Sequence, residues 1–98
     1  MAQLIVVYWR DIPAQVIVKR GRATAKRQLA ERFEQAIDRA AMRANLRDTD
    51  SYLAEWRRAE PVDCGDDLEA EAATAALRLE TDYDEARLKR LVDNGGNA

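Results

Sequence analysis

The stretch Gln3 to Arg20, QLIVVYWRDIPAQVIVKR, decides the fold. Gln3–Arg10 is apolar at nearly every position and rich in β-branched and aromatic residues, which suits a strand covered on both faces. Asp11-Ile12-Pro13 reads as the turn that follows, because proline fixes its own φ and has no N–H to give a ladder. Ala14–Arg20 resumes a strand pattern, with Val16 and Val18 on one face and Gln15, Ile17 and Lys19 on the other, so residues 3–20 form a β-hairpin ended by Gly21.

Downstream the period changes from two to about 3.6. From Gln28 onward Leu29, Phe33, Ala36, Ile37, Ala40, Ala41 and Ala44 fall along one face of a long helix. Asp48, Thr49 or Asp50 can cap a short second helix in which Tyr52, Leu53 and Trp56 share a face before Pro61 stops it. Asp66 followed by Glu69 resembles a capping box opening a third helix, which keeps its spacing to about Glu80. Thr81, Asp82 and Glu85 offer caps for a fourth, with Leu88, Leu91 and Val92 inward and Gly95 as its stop, although the two segments could also run as one helix. The expected class is α+β: an N-terminal β-hairpin packed against three or four α-helices, one domain over residues 1–94 with a flexible 95–98 tail.

Of the 98 residues, 47% are hydrophobic, but eighteen are Ala and only twenty are Leu, Ile, Val or Phe. Such a core is thin, and an isolated two-stranded ribbon is only marginally stable. The hairpin therefore calls for cover, from a partner or from a second copy pairing strand edges as a homodimer. Charge is divided as well: residues 1–59 hold twelve Lys and Arg against seven Asp and Glu, whereas residues 60–98 hold four against eleven. The two ends attract one another within the fold or meet opposite halves of neighbouring chains.

No segment approaches a membrane span or a secretory leader, and a single cysteine, Cys64, cannot make an internal disulfide, so no membrane role and a cytoplasmic location are expected. Without any histidine the commonest general base and metal ligand is missing, and no phosphate-binding or dinucleotide glycine motif occurs. Neither catalysis nor a cofactor or metal is expected. Asp63, Asp66 and Asp67 should raise the Cys64 pKa rather than activate the thiol. Asp63, Asp66, Asp67, Glu69 and Glu71 lack the loop order of a calcium site and read as a capped, solvated helix start.

Two features remain. Trp9, Arg10 and Asp11 at the end of the first strand, with Trp56, Arg57 and Arg58 after the second helix, combine the residue types that anchor protein interfaces, so the leading expectation is an accessory protein acting by contact with another protein. The alternative is an anion- or RNA-binding module built on Lys19, Arg20, Arg22, Lys26 and Arg27. No aromatic residues interleave that run and the pI is near 5.2, so nucleic acid is the lesser reading.

The segments YWRDIPAQVIVKRGR (Tyr8–Arg22), QLAERFEQAIDRAAMRA (Gln28–Ala44) and SYLAEWRRA (Ser51–Ala59) together resemble a small family of alphaproteobacterial proteins known as "virulence factor". The resemblance spans roughly the first 60 residues. It implies association with folate- and corrinoid-dependent methyl-transfer proteins, hence an accessory role in one-carbon metabolism with a methyl-transfer enzyme as partner. It supplies no catalytic residues.

Overall fold

A computed structural model describes residues 1–46 and 48–98. The expected hairpin is present as β1 (Ala2–Trp9) and β2 (Ile12–Arg20), antiparallel from Gln3↔Lys19 to Trp9↔Ile12. Its turn is shorter than the proline suggested. Only Arg10 and Asp11 connect the strands, and Arg10 sits at φ 53, the left-handed region that favours glycine. Pro13 lies inside β2, opposite Tyr8, and the jump in pairing from Val7↔Gln15 to Tyr8↔Pro13 leaves Ala14 as an extra, bulged residue. The third strand reaches β2 only from Gln15 onward, so Pro13 removes no ladder bond.

The hairpin is the centre of a wider sheet. Gly21, at φ 59, turns the chain into β3 (Ala23–Gln28), which pairs with β2 from Arg20↔Ala23 to Gln15↔Gln28. This stretch was expected to be a basic connection; Ala, Lys and Gln are poor strand formers, and the ladder offered by β2 overrides that preference. On the other side of β1 lie β4 (Trp56–Arg58) and β5 (Val62–Cys64). They act as one interrupted edge strand: β4 pairs as Trp9↔Trp56 to Val7↔Arg58, Ala59 N–H donates to the Val6 carbonyl, and β5 resumes from Leu4↔Val62 to Ala2↔Cys64, shifted by one residue. Pro61 falls in the interruption. One chain therefore pairs both edges of β1, and the expected need for a partner strand there disappears.

The helices are α1 (Glu31–Arg43), α2 (Thr49–Ala54), α3 (Leu68–Asp82) and α4 (Glu85–Asp93). Each of the last three begins on an aspartate whose carboxylate accepts a backbone N–H three residues on: Asp48 from Ser51, Asp67 from Ala70 and Asp84 from Arg87. Asp66, expected to cap α3, instead accepts from the Ala2 N–H. Trp56 belongs to β4 rather than to the second helix, which ends at Ala54, and Leu53 faces solvent. Tyr83 leaves the helical region and separates α3 from α4. α4 closes with Gly95 at φ 69: Gly96 N–H donates to the Leu91 carbonyl and Gly95 N–H to that of Val92, the Schellman pattern.

The core joins the row Leu4–Val18–Ala25 of the sheet to Ala72 and Ala76 of α3, and Trp9 and Ile12 to Phe33, Ala36, Ile37 and Ala40 of α1 and Leu88 and Leu91 of α4. Alanines at the contacts let helix backbones approach the sheet and one another closely. That is how a chain with few large apolar residues still closes a core. The alternating row Ile5–Ile17–Lys26 points to the opposite face of the sheet, where Ile5 and Ile17 are nonetheless buried. Among the described residues no helix is long and apolar enough to cross a membrane.

Candidate functional site: an aromatic cleft beside a closed corner

The residues expected to meet a partner divide into two settings. Trp9 is fully buried, its indole N–H donating to the Tyr52 carbonyl at 3.1 Å. A side chain so enclosed presents no surface, and the expectation that it anchors an interface is replaced by a core role. Arg10 is engaged inside the chain: its guanidinium lies 5.3 Å from the Trp9 ring, donates to the Gly95 carbonyl at 2.9 Å and pairs with Glu55 at 3.2 Å. Asp11 receives Arg57 at 3.2 Å and the Ala98 N–H at 2.7 Å, and its own N–H donates to the Gly96 carbonyl. The 95–98 segment, expected to be a loose tail, thus lies against the β1–β2 turn with Gly95 and Gly96 buried. This corner explains why Arg10 holds its unfavourable φ: three contacts fix the side chain that the backbone carries.

Arg57 donates to the Arg10 carbonyl and lies 4.6 Å from the Tyr8 ring. Burial pushes the Tyr8 hydroxyl above its ordinary value of 10.0, and the neighbouring Tyr83 adds to that, while Arg57 opposes it. Arg58, across the ladder from Val7, is exposed.

Trp56 differs. It is only half-buried and forms one wall of a cleft of about 310 Å³ where β2, α1 and the α2–β4 corner meet. Tyr52 stands edge-on to it, ring centroids 6.2 Å apart at 82°. The cleft rests on Ala14, Leu29 and Ile37, and the Ala14 bulge places its carbonyl to accept the Leu29 N–H. Gln15 and Gln28, directly paired across β2 and β3, line one side; Glu34 and Asp38, one turn apart on α1, line the other. Burial raises the Tyr52 hydroxyl above 10.0 and Asp38 pushes the same way, a hydrogen bond from Trp56 opposes it, and Glu34 adds a smaller push upward.

The expected anion site is spread out. Lys19 and Lys26 lie on one face of the β2–β3 hairpin and Arg20 and Arg27 on the other, with Arg22 in the turn, because strand neighbours alternate. Arg20 approaches Asp66 at 4.0 Å. All five are exposed, and the helix that follows them, α1, opens on Glu31 and Glu34, which disfavour an anion at its start. Burial raises the Cys64 thiol, with Glu71, Asp66 and Asp63 adding to it, so the thiolate is disfavoured.

The sequence reading put Tyr52 and Trp56 on one face but missed Glu34, Asp38, Gln15 and Gln28 as their neighbours. The Glu34/Asp38 spacing was visible, yet nothing local said that α1 would turn that face toward a strand bulge.

No curated protein and no solved structure matches this chain. The profile of a known family does match, over residues 7–92, so the similarity extends past the first 60 residues into the acidic C-terminal part. The chain belongs to the family described as "Virulence factor".

Proposed function

We propose that this protein is a non-enzymatic accessory module that acts by contact with another protein, and that the contact is made at the Trp56 cleft. The observation that carries the reading is the contrast in engagement: Trp9, Arg10 and Asp11 are occupied within the chain, whereas Trp56 and Tyr52 leave a half-open aromatic cleft. Half-buried Trp and Tyr are the residues that most often dominate binding energy at interfaces.

The resemblance to alphaproteobacterial relatives makes a folate- or corrinoid-dependent methyl-transfer enzyme the first partner class to test, and an accessory role in one-carbon metabolism the corresponding setting. The experiment measures binding between this chain and folate- and corrinoid-dependent methyl-transfer proteins by isothermal titration, with the wild type and Trp56→Ala in parallel. Specific binding that Trp56→Ala weakens by tenfold or more supports the reading; binding indifferent to Trp56→Ala, or none with any of them, overturns it.

A further inference from the structure

We infer that the Trp56 cleft is a receptor for a cationic side chain, an arginine on an exposed segment of the partner protein. The inference deepens the contact reading above and rests on it. The chemistry of the cleft is one-sided. The Tyr52 and Trp56 rings stand edge-on at 82°, with one face of Tyr52 taken by Trp9 at 5.8 Å, so Trp56 is the ring left to receive a cation, and Glu34 and Asp38 add two carboxylates on the facing helix. The Gln15 and Gln28 amides can supply carbonyl acceptors, and no cation among the described residues lines the space. An aromatic face attracts a cation through its quadrupole, and a guanidinium both stacks flat on such a ring and forks onto a carboxylate. An anion would meet two negative charges there, and a purely apolar side chain would gain nothing from either carboxylate.

Size narrows the occupant further. A volume of about 310 Å³ lies at the lower end for ligand sites, room for one long side chain and part of its backbone rather than a nucleotide cofactor. The same chain already uses the pairing internally: Arg10 with Trp9, Arg57 with Tyr8 and Arg87 with Tyr83, at 5.3, 4.6 and 3.8 Å. Tyr52 and Trp56 are the aromatic pair that no arginine covers among the described residues.

The test is an amide chemical-shift titration of the full chain with the peptide acetyl-Gly-Ala-Arg-Ala-Gly-amide. The same peptide with citrulline, uncharged but of the same shape, is the control, and a lysine peptide ranks the two cations. The expected result is a set of shifts confined to residues 14–15, 28–38 and 52–56. Citrulline should bind about two- to fivefold more weakly, since one exposed cation–π contact is worth roughly that factor. The variant Glu34→Gln/Asp38→Asn, whose two positions are exposed and tolerate substitution, should weaken binding by a similar factor, and about 0.5 M salt should erode the difference between the arginine and citrulline peptides. Equal response to arginine and citrulline, shifts scattered over other surfaces, or no response at all overturns the inference. These outcomes separate from those of the contact reading: a partner that still depends on Trp56 while the peptide gives no arginine-specific shift removes the cation receptor and leaves the accessory role standing.

Discussion

Trp9 and Trp56 face each other across one rung of the same ladder, yet one is sealed and the other half open. Trp9 has the α1 and α4 side chains, Arg10, Gly96 and the Tyr52 ring around it; Trp56 sits on the edge strand, where nothing lies beyond it in the sheet. The difference teaches that residue type and even register do not assign a tryptophan to core or surface. What assigns it is which edges the rest of the chain closes.

The comparison breaks most severely at the sealed member. Trp9→Ala should cost about 3–5 kcal/mol, a large part of a stability of about 5–15 kcal/mol, and leave a substantially unfolded population in mild urea. Next, Gly96→Ala should destabilise by about 1–3 kcal/mol: an added Cβ would stand 2.6 Å from Trp9 Cζ3, at a backbone φ of 98 that side-chain-bearing residues avoid. Thermal melts of the two variants would show whether the corner is as tightly closed as its geometry requires.

Arg10 separates side chain from backbone. Arg10→Ala should lose about 1–2 kcal/mol with its hydrogen bonds, whereas Arg10→Gly should lose less, because glycine releases the φ 53 penalty. If both cost the same, the left-handed turn stores no strain. Trp56→Ala sharpens the other side of the comparison: about 1–2 kcal/mol in a urea melt for a partly buried ring, with partner binding as the property that falls.

The smallest effect lies at alkaline pH. Tyr8 and Tyr52 both hold their protons more tightly folded than unfolded. The stability they contribute is therefore intact below pH 10 and declines as pH rises through their folded values. Spectrophotometric titration of the phenols should show ionisation delayed in the native chain relative to the urea-unfolded chain.

The hairpin, the long amphipathic α1 and the Gly95 stop were legible because each is written locally, in an apolar period or a capping residue. The later helix starts were legible only approximately, since Asp67 and Asp84 cap α3 and α4 where Asp66 and the Thr81, Asp82 and Glu85 group were expected. β3, β4 and β5 were not legible. Ala23–Gln28 and Trp56–Arg58 have no strand pattern of their own, and they extend only because β1 and β2 present unpaired backbone to them. The candidate site suffered the same way: Trp56 was visible as a residue type, but the cleft around it exists only once a bulge at Ala14, a helix face at Glu34 and Asp38, and the α2–β4 corner converge.

The pairing of β1 with residues 56–64 has a kinetic consequence. β1 finds its second neighbour only in residues 56–64, after β2, β3, α1 and α2 have been made. The β1–β2–β3 meander can form early from contacts close in sequence, but it must wait with one flank unsatisfied until a long loop closes. During that wait Leu4 to Trp9 is the segment most open to wrong pairing, and the docking of Trp56 to Cys64 is the step that closes it.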